Sequence, residues 1–219
     1  MIKRIVCLAN SRKWSERCVA GVEISGPNRG KWIRPVSIGE HTQLSKKERM
    51  LSNGQEPRLL DVIDVSVTSP DAQTYQRENW RLDPRQRWKF VKKLEWEELD
   101  AIADKTSALW PNGYHTRNGR NDHVPLAQAE KLENSLALIH VDELELYVYH
   151  EYYRPNVRAR FSLAGNEYAL KVTDPIVEAE YFSRGDGDYT LPESYLTISL
   201  GEPFHENCYK LVAAVISKP

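Results

Sequence analysis

The run Ile2–Ile38, IKRIVCLANSRKWSERCVAGVEISGPNRGKWIRPVSI, decides how this chain is read. It holds three strand-length apolar segments. Ile2–Ala9 (IKRIVCLA) opens basic and turns apolar, Cys18–Ile24 (CVAGVEI) is the second, and Lys31–Ile38 (KWIRPVSI) is the third. Asn10–Arg17 (NSRKWSER) is polar and reads as a loop, and Gly26-Pro27-Asn28-Arg29-Gly30 is a strong turn signal. Three strands joined by turns, with no helix between them, predict an antiparallel meander. Pro35 has no amide donor, so the end of the third strand belongs at an edge or bulge.

Working outward, Leu44–Leu51 reads as a short charged helix. Leu59–Thr68 (LLDVIDVSVT) alternates and reads as a half-buried strand. Lys92–Lys105 reads as a helix, with Leu94, Leu99 and Ile102 on one side. Pro111–Asp122 (PNGYHTRNGRND) is a turn-rich loop, and Leu126–Leu132 a short helix. Strand signals then resume. Leu136–Tyr149 is long, with a bend expected near Asp142-Glu143. Val157–Leu163 and Glu167–Val172 flank Ala164-Gly165-Asn166, a hairpin turn. Tyr195–Leu200 and Cys208–Ile216 close the pattern, and Ser183–Asp188 (SRGDGD) reads as a loop. The expectation is a mainly β chain with a few short helices. It forms two tandem antiparallel β-barrel modules of five strands each, residues 1–125 with an inserted helix and residues 126–219.

Composition narrows the function classes. The chain has 219 residues, 41% hydrophobic and 28% charged, with ordinary Gly and Pro content. That excludes a disordered or collagen-like chain. No apolar run is long enough for a transmembrane helix, so no membrane partner is expected. The apolar stretch from Ile5 breaks at Asn10, too short for a signal h-region, which points to a cytoplasmic protein. Cys7, Cys18 and Cys208 lack C-x-x-C spacing, so reduced thiols are expected, without structural zinc.

Charge is unevenly spread. Net charge is −1 overall, yet residues 1–60 carry a net of +7 and residues 61–219 a net of −8. A basic excess on the first quarter fits either a surface that faces nucleic acid or phosphate or a solvated surface with no partner. Arg12, Lys13, Trp14 and Arg17 fall in the first loop. Lys31, Trp32 and Arg34 follow the next turn. Cations meet phosphates, and indole faces stack on bases whatever their sequence. By strand alternation Trp32 and Arg34 share one face, an indole beside a guanidinium. The competing reading packs Trp32 into the core with Arg34 at its rim.

The second half is acidic. Arg154, Arg158 and Arg160 make a basic stripe, accompanied by Tyr152, Tyr153 and Tyr168. Glu143, Glu145 and Glu151 lie nearby, so cross-strand ion pairing explains the arginines equally well. The acidic balance suits a protein partner or packing on the basic first half.

Catalytic patterns are absent: no phosphate-binding glycine loop, zinc-protease helix or nucleophile elbow. His115 and His123 share a loop with Asp122, the one candidate metal or acid–base cluster. Asp61 and Asp64 point to opposite faces of their strand. The reading leans away from an enzyme, and no cofactor is implied.

Three stretches resemble the bacterial dual OB-containing domain family: Lys3–Gly21 (KRIVCLANSRKWSERCVAG), Lys31–Ser37 (KWIRPVS) and Ile198–Ile216 (ISLGEPFHENCYKLVAAVI). The resemblance implies two tandem OB-like barrels and nucleic-acid binding, in a setting of defence or mobile elements. It brings no catalytic residues. The resulting expectation is a protein that binds single-stranded DNA or RNA. The alternatives are a sensor for a small molecule or modified nucleotide and an enzyme whose site is assembled from distant segments.

Overall fold

The computed structural model describes residues 1–39, 42–151 and 153–218. The chain is mainly β and divides into two compact units, Met1–Ile102 and Ala103–Pro219.

The first unit is a closed barrel. β1 (Ile2–Lys13), β2 (Glu16–Glu23) and β3 (Trp32–Val36) form the meander that the opening segments predict. After a one-turn helix α1 (Lys46–Arg49), β4 (Asp61–Pro70) returns to pair antiparallel with β1. β5 (Asn79–Leu82) lies between β3 and β4, so the order β1-β2-β3-β5-β4 closes on itself. β6 (Lys89–Lys93) pairs with the start of β4, beyond β5. Ile5, Cys7, Val19, Ile33, Ile63, Val65, Leu82 and Trp88 fill the interior.

Three expectations change here. The polar segment after Ala9 is no loop: β1 runs on to Lys13, and only Trp14 and Ser15 turn. β4 is buried on both faces through Val67, with Asp64 alone partly exposed, so it is more than half buried. The helix expected over Lys92–Lys105 is β6 followed by a 3-10 helix, Trp96–Ala101. Trp96 and Leu99, both buried, are three residues apart, the repeat of a 3-10 turn.

The second unit begins with β7 (His123–Pro125), α2 (Leu126–Ala129), β8 (Leu136–Val141) and β9 (Leu144–Glu151). It continues with β10 (Arg154–Leu163), β11 (Asn166–Val172), α3 (Pro175–Arg184), β12 (Gly187–Leu191), β13 (Ser194–Phe204) and β14 (Asn207–Ser217). These give one eight-stranded sheet, ordered β12-β9-β10-β11-β14-β13-β8 with β7 on β14, where five strands were expected. The sheet curls around one core that draws on six strands, from Ile139 on β8 to Val212 on β14. Ala164 and Gly165 have φ of 47° and 81°, the left-handed pair of a tight hairpin turn. The bend at Asp142-Glu143 separates β8 from β9, which pair with different neighbours.

Helix α3 is absent from the sequence reading. Its start is nonetheless encoded: the Asp174 carboxylate accepts from the N–H groups of Ile176 and Val177, and Pro175 opens the first turn. Ser183 and Arg184 end this helix, so most of the expected loop there is helix or strand. Each unit also holds one parallel pair, β3 with β5 and β11 with β14, within otherwise antiparallel sheets. Both parallel pairs join strands far apart in sequence, as parallel pairing requires.

The division after Ile102 lies earlier than the boundary at 125. The polar loop, at the middle of the chain, folds onto the second sheet. Leu109 N–H and Asn112 Nδ2 donate to the Tyr168 hydroxyl at 3.1 and 2.8 Å, and Arg120 bridges Ala169.

The barrel rests on a close approach at Gly21. It opposes Cys7, where the β1–β2 register shifts, and a Cβ there would lie 1.9 Å from the Val6 carbonyl oxygen. Backbone cannot yield as a side chain can. Gly21→Ala is expected to cost at least about 1–3 kcal/mol of stability, read as a lowered urea midpoint.

Candidate nucleic-acid interface

The seven residues picked out from sequence separate into two groups. Arg12, Lys13, Trp14 and Arg17 gather at the tip of the β1–β2 hairpin. Lys31 and Trp32 lie at its other end, where Trp32 pairs with Val22. Val22 lies six residue steps along β2 from Glu16 at the tip, roughly 20 Å of strand. The two clusters are therefore not one site. Closeness in sequence hides this separation, because the two clusters stand at opposite ends of β2.

Arg34 is withdrawn from any interface. It is 3% exposed, and its guanidinium meets the Glu78 carboxylate at 3.1 Å and donates to Asn79 Oδ1 at 3.2 Å. Glu78 closes the segment that leads into β5, and Asn79 is the first residue of that strand. Lys31 is exposed and Trp32 half-buried.

The hairpin tip is the stronger surface. Trp14 is 75% exposed. Its φ is 52°, in the left-handed region, which a bulky residue enters at a cost of about 1–2 kcal/mol. A two-residue turn with positive φ at its first central position favours glycine there. A strained tryptophan held in water gains nothing from burial. Strain of this kind concentrates at ligand-binding positions.

Arg12 stands directly opposite Arg17 in the strand register, and like charges so placed repel. Lys13 donates to the Thr42 hydroxyl. Leu44 bridges Arg17, which brings the exposed Lys46 and Lys47 of α1 to the same end of the barrel. Those two lysines are missing from the sequence reading. A capping box seats them: the Ser45 hydroxyl accepts from Glu48 N–H, and the Glu48 carboxylate accepts from Ser45 N–H. Burial pushes the Glu48 carboxyl upward, but the bonds from Ser45 and Ser37 outweigh it and hold the group below its ordinary value. Glu16, which stands opposite Lys13 in the register, is engaged by Arg49 at 3.1 Å. The outcome is a cationic, indole-bearing tip whose neighbouring Glu16 is drawn toward Arg49.

Two arginines of the second unit's stripe, Arg158 and Arg160, are engaged by carboxylates of their own unit. Arg160 meets Glu145 at 2.7 Å and Asp188 at 3.1 Å, with its guanidinium 4.3 Å over the Tyr147 ring. Arg158 donates to the Tyr149 hydroxyl at 3.0 Å and lies 3.5 Å from Asp122. Tyr147 and Tyr149 stack within 7° of parallel. Cross-strand ion pairing therefore accounts for Arg160, while Arg158 is held by Tyr149 on the neighbouring strand and by Asp122 of the loop. Tyr168 is buried, Tyr153 and Arg154 are exposed, and Tyr152 lies outside the described residues.

The histidine cluster is divided among other partners. His115 Nδ1 accepts from Asn121 N–H at 2.8 Å, while His123 Nδ1 faces Asp122 at 3.1 Å between the rings of Tyr114 and Tyr209. Among the described residues no group of three or more His, Cys, Asp or Glu is placed to hold a metal. Beneath this loop lies Lys210, 1% exposed, donating to the Pro111 carbonyl and Asn112 Oδ1, both at 2.9 Å. Burial lowers its pKa to about 7, against a weaker pull upward from Asp122.

A family model described as the dual OB-containing domain matches residues 3–215. No curated protein and no solved structure matches the chain.

Two outcomes follow from the buried charges. Arg34→Ala strands the Glu78 carboxylate and is expected to cost about 3–5 kcal/mol of stability, measured by denaturation. Between about pH 7 and the ordinary lysine value of 10.5, the unfolded chain holds a proton on Lys210 that the folded chain lacks. Stability rises with pH across that window, and Lys210→Met is expected to flatten the rise in melting temperature.

Proposed function

The chain belongs to the dual OB-containing domain family, and from that premise we propose that it binds single-stranded nucleic acid through the tip of the β1–β2 hairpin. The observation that carries this reading is the exposed, strained Trp14 between Arg12, Lys13 and Arg17. OB barrels use their first hairpin loop and the adjoining strands to hold oligonucleotides. A phosphate between Arg12 and Arg17 turns their mutual repulsion into two attractions. The open face of an indole stacks on a base only where that base is itself unstacked, which favours a single strand over a duplex.

Trp14→Gly separates binding from folding. Glycine accepts a φ of 52° without strain, so melting temperature is expected to stay level or rise. Loss of the stack is expected to cost about 1–3 kcal/mol of affinity for a labelled oligonucleotide, with the salt slope unchanged. The double variant Arg12→Ala, Arg17→Ala is expected to lower that slope by about 1.4. Binding of a mononucleotide that ignores salt would instead support a small-ligand sensor.

A further inference from the structure

The most basic run of the chain is Arg85–Lys93, RQRWKFVKK, with five cations and no carboxylate in nine residues. Its last five residues are β6, and all five are exposed. This is unusual for a strand, because pairing into a sheet normally buries one face. Phe90 is 46% exposed and Val91 39%. Lys89 stands opposite Asp64, which already holds Arg4 through two hydrogen bonds of 2.7 and 2.9 Å. Lys93 stands opposite Asp61, whose carboxylate accepts from Arg58 N–H. Lys92 has only a loose approach to Glu98, at 4.0 Å. Arg85 is engaged by Asp83, which leaves the cationic field to Arg87 and the three lysines.

We propose that β6 is a second contact surface for a nucleic-acid strand, with Lys89, Lys92 and Lys93 meeting phosphates and Phe90 stacking on a base. The proposal rests on the single-strand reading above and extends it to a separate place on the same barrel. Lysines alone would be explained by protection of a sheet edge against pairing with another chain. That explanation accounts for no exposed aromatic ring, since an apolar ring on an edge works against protection. A ring between lysines is the arrangement that serves a polyanion with flat bases. Charge complementarity excludes a basic or neutral occupant. An acidic peptide shares the charge but has no face for Phe90 to stack on.

The test uses the full chain and a labelled 16-nucleotide single strand titrated at several salt concentrations. The triple variant Lys89→Ala, Lys92→Ala, Lys93→Ala is expected to lower the salt slope by about 2. Phe90→Ala is expected to weaken binding by about 5- to 150-fold with the slope unchanged. Both should keep the wild-type melting temperature, because the altered side chains are exposed. Wild-type affinity and slope in the folded triple variant, with binding impaired in the Arg12→Ala, Arg17→Ala variant, would overturn the β6 proposal and leave the hairpin reading standing. No salt-dependent binding by the wild-type chain would overturn both. Tighter binding of an oligo-glutamate peptide than of the oligonucleotide would reassign β6 to strand addition by a protein.

Discussion

The first barrel depends on β1, whose hydrogen-bonding edges are both taken. It pairs with β2 along one edge and with β4 along the other, and Ile5 through Ala9 are buried on both faces. Yet β4 covers only Ile2–Val6. From Ala9 onward β1 pairs with β2 alone, so the hairpin runs past the closed part of the barrel. Asn10 to Pro57 and Lys13 to Thr42 are side-chain ties along that extension. A strand longer than its partner thus carries its turn into solvent, and the turn is where Trp14 stands. The same double pairing explains Gly21: with β1 held on both sides, the bulge opposite it cannot move to admit a methyl group.

Charge acquires its meaning only after pairing is known. The +7 excess of the first sixty residues counts cations that the fold then neutralises with carboxylates from inside and outside that stretch. Lys3 meets Glu23, Arg4 meets Asp64, Arg34 meets Glu78, and Arg49 meets Glu16 and Glu56. Lys3 and Arg34 are buried with their partners, where losing either partner leaves an uncompensated charge. Among the described residues, cations that stay exposed include Arg12 at the hairpin tip, Lys46 and Lys47 on α1, and the three lysines of β6. The second unit shows the opposite balance. Its arginines and tyrosines have the residue types of a binding face, but Glu145, Asp188 and Asp122 occupy the guanidinium groups first.

Several elements were legible because their signals are local. The opening meander, the Ala164-Gly165 turn and the run of strands in the second half follow from apolar segments between turn residues. β6 was not legible: KFVKK has no alternation, because a strand with both faces in water needs none. The helix expected across Lys92–Lys105 came from apolar spacing that the 3-10 turn also satisfies. α3 carried a start signal in Asp174-Pro175 that lay between two strong strand patterns. At the candidate site, residue types were legible while distances were not. Trp14 and Trp32 look equivalent in sequence, and the register places them at opposite ends of one hairpin.

The sequence by itself determined the β character, the turns, the basic start and the family, because those depend on neighbours along the chain. Closure of β1 against β4, the entry of β5 beside β3, and the curling of eight strands into one second sheet were decided by tertiary structure. So was the fate of each cation. Arg34 and Arg17 are alike as side chains, and what separates them is that a carboxylate forty-four residues away in sequence lies beside Arg34 in the fold. Pairing between distant strands sets which charges are desolvated and which remain in water, and no local pattern encodes that.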